Sequence, residues 1–353
     1  MHDVIDEFRH KRPLYDEFTR RLEDFFLDRI EAKGMENVDI DVRTKTVESF
    51  AEKISRPGKQ YTDPMRQITD LSGVRIIVCY ADDIDRVAEI IRSDFNVHAE
   101  ESVDKRVHLA PNTFGYLSLH YVISIVGWKE THELWERFKG LRAEIQIRTI
   151  LQHSWAMVSH ALQYKRDTDV PEQLRRRLFR LAGLFELADE QFIDIRSAHE
   201  RLTREVSRDF AAGHHGMDVN IISVVELTNS SPAVQQVVEE AAKIPAFTFF
   251  DQRAVPGARD DYSLVAEEAR RLNIQTVAEL ERTIASVVPR MAAFLAAVAE
   301  IDSWHVTRAF MIFFALMVAH PRRFKASYLM TNRGWHGSIA TRISAHALRE
   351  ATA

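Results

Sequence analysis

The sequence predicts an α/β protein of the α+β kind, in which a mixed sheet flanked by helices is followed by a mostly helical region. Segments with strand periodicity and helix periodicity alternate between residues 38 and 148, as they do in a mixed α/β layer. Long apolar helical stretches dominate the end of the chain. The length of 353 residues is about twice that of a typical domain, which favours two domains.

The first part of the chain contains a regular succession of predicted elements. Residues 3–33 carry apolar side chains at helical spacing, and Pro13 is a candidate point at which this stretch divides into two helices. At residues 38–42 apolar and charged residues alternate, which is typical of a half-buried strand. The elements predicted after it are a helix at 46–54, a loop at 55–64, a strand at 74–80, a helix at 82–94, strands at 96–103, 117–126 and 141–148, and helices at 150–164 and 172–208.

A Gly-containing break, AAGHHG at residues 211–216, is the candidate domain boundary. It separates a first domain at 1–210 from a mostly helical second domain at 217–353. In the second domain, apolar runs at 219–225 and 244–250 predict strands, and residues 262–272, 276–301 and 304–319 predict helices. The adjacent pair His214 and His215 is interpreted as part of a loop rather than as a metal site.

Composition excludes several classes of protein. Lys and Arg number 47 against 52 Asp and Glu, so the net charge of −5 argues against a polyanion binder held by overall charge. Cys79 is the single cysteine, which excludes an intramolecular disulfide and a cysteine-based metal cluster and fits a reducing cytosol. The longest uncharged apolar run, residues 309–319, is too short to cross a bilayer and is interpreted as a buried helix. We therefore expect a cytoplasmic protein with no membrane partner.

Polar residues at period two inside apolar strands are the first functional signal. Glu144, Gln146 and Arg148 share one face of a predicted strand, and Tyr116 and His120 share one face of another. One reading is simply the solvated outer face of a sheet. The other is a binding surface that presents an acid, an amide, a cation, an aromatic ring and an imidazole.

Two acidic residues at strand ends form the second signal. Asp70 precedes a predicted strand, and Glu144 lies near the start of another. Because Mg²⁺ in phosphate-binding sites takes one or two carboxylates and completes its shell with phosphate oxygens and water, Asp70 and Glu144 are candidate Mg²⁺ ligands. The alternative for Asp70 is a turn or helix cap.

Cations and a hydroxyl form the third signal. Lys45, Ser49 and Lys53 are four residues apart and would lie on one face of a helix that begins near residue 46, making a row suited to a triphosphate. Such rows are more often simply solvated. Arg43 and Arg75 carry the flat guanidinium groups that stack on purine rings.

Together these segments resemble the synthetase domain of the RelA/SpoT family, the alarmone synthetases and their small single-domain relatives. The matching pieces are RTKTVESFAEK, TDLSGVRIIVCY, FGYLSLH and EIQIRTILQHSWAMVSHALQYK, which span about residues 41–165. The resemblance implies a nucleotidyltransferase-like fold. It also implies Mg²⁺-dependent transfer of the β,γ-pyrophosphate of ATP to the ribose 3′-hydroxyl of GDP or GTP, which makes the alarmone (p)ppGpp.

The same resemblance implies a role for each candidate residue. Asp70 and Glu144 would be the catalytic acids and metal ligands, with Glu144 also near enough to the attacking hydroxyl to act as general base. The residues implied to bind ATP are Arg43, Lys45, Ser49, Lys53 and Arg75, and those implied to bind the acceptor are Tyr116, His120, Gln146 and Arg148.

Three departures from the family pattern leave the acceptor open. Asn112 and Phe114 stand where nucleotide-making members usually have Lys and Asn, so a cation for the acceptor phosphates is missing, and Ser159 replaces a common Glu. One alternative is a toxic small synthetase that pyrophosphorylates the 3′ end of tRNA and is restrained by its C-terminal domain, with basic stretches at 175–180 and 321–325 to hold the polynucleotide. Another is an inactive nucleotide-sensing protein. The C-terminal domain would be regulatory, neutralising or oligomerising, which leaves a homo-oligomer open.

Overall fold

The computed structural model describes residues 2–56, 58, 60–106, 118–162, 172–250 and 260–352. The chain divides into two compact units, Met1–Arg196 and Ser197–Ala353. The division falls inside a long helix, Glu172–Ala211, whereas the predicted break at 211–216 coincides with the end of that helix, where Gly213 has a φ of +74°. Domain bounds of 1–210 and 217–353 therefore stay a prediction.

The first unit contains the predicted mixed sheet and its flanking helices, which confirms the fold class. Its described helices are α1 (His2–Ala32), α2 (Val47–Ile54), α3 (Pro64–Gln67), α4 (Asp83–Asp94), α5 (Ile150–Leu162) and the start of α6 (Glu172–Ala211). Its described strands are β1 (Asp39–Thr44), β2 (Ser72–Val78), β3 (Asn96–Val97), β4 (Val103–Asp104), β5 (Leu119–Ser124) and β6 (Ala143–Thr149).

Strand order brings the functional segments side by side. Within the described residues the order is β1-β2-β6-β5-β3, and β4 also pairs with β5. The central strands β2 and β6 are parallel, whereas β1 pairs antiparallel with β2 and β5 pairs antiparallel with β6. Parallel pairing puts the amino ends of β2 and β6 at the same edge of the sheet, with Gly73 beside Glu144.

Helix α1 runs through Pro13 without dividing, so the suggested break there is wrong. The helix is buried on both sides of the proline. Phe8, before the proline, and Tyr15, after it, pack with Phe50 in one cluster. Phe18 and its neighbours form another cluster on the apolar face of the sheet. This packing outweighs the cost of one proline in the helix.

The second unit is mostly helical, as predicted. Its described helices after α6 are α7 (Ile221–Ser230), α8 (Pro232–Ala242), α9 (Asp261–Arg271), α10 (Val277–Ala299), α11 (Arg308–Ala319), α12 (Ala326–Arg333) and α13 (Gly337–Thr352), with strands β7 (Phe247–Phe249) and β8 (Trp304–Val306). Three predictions need correction. The apolar run at 219–225 is mainly helix, the strand predicted at 244–250 is only the short β7, and the helix predicted at 304–319 begins at Arg308 because β8 precedes it.

The start of α7 shows why the strand prediction failed. Asn220 and Ser223 form a reciprocal capping box that satisfies free backbone N–H groups at the helix start. The buried residues of the helix then recur at helical spacing: Ser223, Val224, Leu227 and Thr228. A short β-branched run is ambiguous by periodicity, and the cap together with packing decides it.

Helices α10 and α11 form much of the core of the second unit. In α11 residues 311–318 are all buried, which confirms the buried helix expected there. Among the described residues, α10 is long and apolar enough to cross a membrane by length and composition. Its buried side chains recur every three or four residues and pack in the core of this unit, from Val277 and Leu280 to Leu295 and Val298.

Candidate active site

The two predicted acids meet at the amino edge of the central strands. Asp70 lies in a short 3-10 turn, Thr69–Leu71, directly before β2, and Glu144 is the second residue of β6. They line a single cavity because the two strands are parallel and in register. The described residues around this cavity are Asp41, Arg43, Lys45, Asp70, Gly73, Val74, Arg75, Glu144 and Gln146.

Asp70 is held between two lysines. Nζ of Lys45 donates to Oδ2 of Asp70 at 2.6 Å, and Nζ of Lys53 donates to Oδ1 at 2.8 Å. Burial alone would raise the pKa of Asp70, but the hydrogen bonds and positive charges of the two lysines outweigh it and hold the pKa below its usual value. Asp70 is therefore ionised, and two cations and one anion converge at one point.

The lysines reach Asp70 from different elements rather than from one helix face. Helix α2 begins at Val47, with the hydroxyl of Thr46 accepting the backbone N–H of Ser49 as its N-cap. Lys45 therefore lies outside the helix, between β1 and α2, and the predicted four-residue helical row is wrong for that residue. Ser49 lies in the first turn of α2, and its hydroxyl accepts from that of Thr46 at 3.1 Å.

Glu144 is the centre of a row of hydrogen bonds along the sheet face. Its Oε1 atom accepts from Nε2 of Gln146 at 2.7 Å and lies 3.3 Å from Nδ1 of His120. Gln146 in turn accepts from the buried guanidinium of Arg148. The hydrogen bond with His120 and that with Gln146 lower the pKa of Glu144 despite its burial. Alternation along β5 and β6 brings these four predicted residues together.

The two predicted base-stacking arginines both line the cavity, next to an acid that the sequence analysis missed. Nη1 of Arg75 donates to Oδ2 of Asp41 at 2.7 Å, and these residues are paired across β1 and β2. Arg43 lies on β1, exposed, opposite Gly73. Asp41 is one of the charged residues of the alternating pattern at 38–42, and this alternation was the available signal. Alternation alone does not show which strand pairs with the one that carries Asp41.

The acceptor side is only partly within the described residues. Tyr116, Asn112 and Phe114 all lie outside them. Ser159, the third departure from the family pattern, is buried in α5.

His215, from the pair interpreted as a loop, lies in the second unit. Its Nδ1 atom is 2.6 Å from Oε2 of Glu281, and its ring packs against Phe210.

The donor set at the sheet edge fits a magnesium ion held mainly by substrate phosphates. Mg²⁺ in such sites uses one or two protein carboxylates, and Asp70 and Glu144 are two ionised carboxylates on one cavity. Among the described residues, no group of three or more His, Cys, Asp or Glu side chains could hold a metal without other ligands. Asp70 and Glu144 are thus the residues that would hold Mg²⁺ here, together with phosphate oxygens.

Comparison with known proteins gives the class of this chain. The region found in RelA/SpoT proteins matches residues 42–169. The chain is 33% identical over 156 residues to the GTP pyrophosphokinase YwaC of Bacillus subtilis, covering 44% of this chain and 71% of that protein. It is also 33% identical over 172 residues to the GTP pyrophosphokinase YjbM of Bacillus subtilis, covering 47% and 75%.

A solved structure of a small alarmone synthetase also matches. The small alarmone synthetase 2 from Bacillus subtilis is 28% identical, with a match over 54% of this chain and 99% of that chain and a TM-score of 0.45. The chain belongs to the RelA/SpoT family, because it is 33% identical to two GTP pyrophosphokinases and covers more than two thirds of each. The resemblance drawn from the sequence motifs is confirmed, while the roles of individual residues stay predictions.

Proposed function

We propose that this protein is a Mg²⁺-dependent pyrophosphokinase that transfers the β,γ-pyrophosphate of ATP to the 3′-hydroxyl of GDP or GTP. The observation that carries the proposal is the convergence of Lys45, Lys53, Asp70 and Glu144 at one edge of the sheet, beside Arg43 and Arg75. The names of the GTP pyrophosphokinase relatives support the reaction class.

Phosphoryl-type transfer needs alignment and charge neutralisation more than covalent help from the protein. Lys45 and Lys53 are largely buried, with side chains 11% and 23% exposed, and so present their charges in a partly dehydrated site where they attract phosphate oxygens strongly. Asp70 and Glu144 are the residues that would hold Mg²⁺, and the ion would supply positive charge that neutralises the phosphates. The lysines are already oriented by Asp70 before ATP arrives.

The attacking hydroxyl would be positioned by Glu144. Its carboxylate is fixed by Gln146 on one side and by His120 on the other, so it can accept a hydrogen bond from a ribose hydroxyl in a defined direction. Because its pKa is held low, Glu144 is a weak base at neutral pH, and its first role is to orient the hydroxyl. As the 3′-oxygen bonds to the β-phosphorus, the bond from that phosphorus to the α,β-bridging oxygen breaks and AMP leaves. Glu144 accepts the hydroxyl proton as the new bond forms.

The adenine of ATP would lie between the guanidinium groups of Arg43 and Arg75. Both residues line the cavity, and Arg75 is oriented by Asp41. A flat cation on each face of a purine provides both stacking and cation–π attraction.

The test is transfer of label from γ-labelled ATP to separate acceptors: GDP, GTP, AMP, ATP and deacylated tRNA. Labelled product with GDP or GTP, lost in Asp70→Asn, is the expected result. Product with tRNA alone would replace the proposal by the tRNA-directed alternative. Absence of product with every acceptor, together with retained binding of a non-hydrolysable ATP analogue, would favour the nucleotide-sensing alternative.

The tRNA arm has one structural basis. Arg176, Arg177 and Arg180 are exposed on α6, as a polynucleotide contact requires. In the other basic stretch, Phe324 is fully buried and Nη2 of Arg323 donates to the backbone oxygen of Arg271, so part of that stretch is structural.

A further inference from the structure

The first unit contains a second cavity. Its described lining residues are Tyr15, Met65, Arg66, Ile68, Leu71, His98, Ser124, Gly140 and Arg142. Its volume of about 270 Å³ exceeds the roughly 130 Å³ of the nucleotide cavity, so it has room for a small organic molecule. The two cavities share no described lining residue.

One wall of this second cavity is apolar and packed. Tyr15, Ile68 and Leu71 are almost fully buried and belong to one packed cluster, which Met65 also joins. Because these side chains are already packed, an apolar or aromatic group in the cavity would contact a preformed wall, and the surface removed from water would be mainly its own.

The remaining wall is cationic and polar. Arg66 and Arg142 both line it, with His98 and Ser124, whereas no Asp or Glu is among its described lining residues. The side chain of Arg66 is 87% exposed, and its Nε atom is 3.7 Å from Asp63, which leaves it able to turn toward an anion. Nε2 of His98 lies 3.0 Å from the Ser124 hydroxyl, which fixes both polar groups at the rim.

Arg142 is already in contact with an anion. Nη1 of Arg142 donates to both carboxylate oxygens of Glu101, at 2.8 and 2.6 Å. Both side chains are about one-third exposed, so the pair is a surface ion pair that an incoming anion can displace at small cost. Glu101 therefore acts as a stand-in for the anionic part of a ligand.

The second cavity adjoins the catalytic acids along the chain. Leu71 directly follows Asp70, and Arg142 comes two residues before Glu144, just before β6 begins at Ala143. An anion held by Arg142 would therefore lie near the start of β6, the strand that carries Glu144.

We propose that this cavity binds a phosphate monoester, with the phosphate against Arg142 and Arg66 and the organic body on the wall of Tyr15, Ile68 and Leu71. Paired arginines suit a phosphate dianion because their donors match its oxygens. Two sources carry this chemistry: the 5′-phosphate end of the acceptor nucleotide, or a separate small effector. Only the first source rests on the function proposed above.

Binding of phenyl phosphate to the full chain, measured by calorimetry in the presence of a saturating non-hydrolysable ATP analogue, tests the site. We expect phenyl phosphate to bind more tightly than inorganic phosphate, which lacks the ring. It should also bind more tightly than benzyl alcohol, which lacks the charge. Arg142→Met should weaken it about tenfold or more. Arg137→Met, an exposed arginine paired with Glu17 outside the cavity, is the matched control and should leave it unchanged.

Glu101→Gln gives a test of opposite sign. If Glu101 competes with the ligand for Arg142, removing its charge should tighten phenyl phosphate binding several-fold, whereas a purely structural ion pair would give no tightening. Complete displacement of phenyl phosphate by the ATP analogue, or equal affinity in wild type and Arg142→Met, would overturn the proposal.

Competition with GDP separates the two sources. If GDP displaces phenyl phosphate and Arg142→Met raises the KM for GDP with little change in kcat, the site holds the acceptor phosphate. If GDP and phenyl phosphate bind together, the site holds a separate effector. The binding arms do not use turnover, so an inactive enzyme would contradict the proposed function and leave the test of this cavity intact.

Discussion

Asp41 and Arg75 face each other across β1 and β2, with Oδ2 of the acid 2.7 Å from Nη1 of the arginine. The acid is more than half exposed, whereas the arginine is only about one-third exposed. Such a pair contributes little to stability but limits the directions in which the guanidinium can point. Asp41 is therefore a positioning residue for the predicted adenine site.

Arg75→Ala should weaken binding of a non-hydrolysable ATP analogue by roughly 1 to 2 kcal/mol, because it removes one stacking cation. Asp41→Asn keeps that cation and should change affinity by less than about 1 kcal/mol. Calorimetry on both variants, with Arg137→Ala as an exposed control, measures the difference. Equal affinity in wild type and Arg75→Ala would remove Arg75 from the site.

Asp70→Asn should lower turnover by about two orders of magnitude or more, because it removes the metal-binding charge and leaves Lys45 and Lys53 without their shared anion. The temperature of thermal unfolding should fall only slightly, since both lysines retain some exposure to water. Asp24→Asn, an exposed acid on α1, is the matched control. Wild-type rates with any acceptor would contradict the assignment of Asp70.

His120→Asn should move the acid limb of the pH–rate profile to higher pH. His120 is the main cause of the lowered pKa of Glu144, so without it that pKa rises toward its ordinary value and the carboxylate is protonated at a higher pH. The measurement is kcat/KM between about pH 4 and 8 in wild type and variant. An acid limb that does not move would show that Glu144 protonation does not control the rate.

Asp189 on α6 should make the first unit more stable in mild acid. It is 4% exposed, accepts from Thr149 Oγ1 at 2.8 Å, and burial raises its pKa to about 6. Because the pKa of Asp189 is raised, the folded state binds the proton more tightly than the unfolded state does. The free energy of unfolding therefore falls as the pH rises from 3.8, the ordinary pKa of Asp, to about 6, and it stays lower at higher pH. The effect is roughly 3 kcal/mol in size.

Asp189→Asn should abolish this pH dependence, because the amide does not ionise. We expect the variant to unfold at a higher temperature than wild type at pH 7.5 and at the same temperature as wild type near pH 4. Asp194→Asn, an exposed acid on the same helix, should behave like wild type at both values. Parallel wild-type and Asp189→Asn stability curves would exclude a buried proton at this position.

Two C-terminal fragments distinguish the compact units from the predicted boundary. A fragment at 197–353 keeps Phe210, which is 8% exposed, belongs to the core of the second unit and stacks on His215, whereas 217–353 lacks it. The shorter fragment should be less stable by about 3 kcal/mol, the usual cost of losing a buried phenylalanine. The fragment 197–353 carrying Phe210→Ala should show the part of the loss that is due to Phe210, because it keeps the contact of His215 with Glu281. Equal stability of both fragments would favour the boundary at 211–216.

The sequence by itself determined the family, the fold class and most of the charged residues of the cavity. These follow from local order along the chain: residues two apart in a strand share a face, and Glu144, Gln146 and Arg148 therefore form one row in any sheet. It also indicated that Ala309 to Ala319 is a buried helix, because an uncharged apolar run is unfavourable in water and eleven residues are long for one strand.

Tertiary structure alone decided which residues of different strands lie next to each other. Parallel pairing of β2 with β6 brings Asp70 and Glu144 to one edge, and the antiparallel neighbour β1 brings Asp41 to Arg75. Neither the direction of a strand nor its partner is encoded in its own periodicity, because both depend on the packing of distant segments. The same reason applies at Pro13 and at α7, where burial and capping outweighed local propensity.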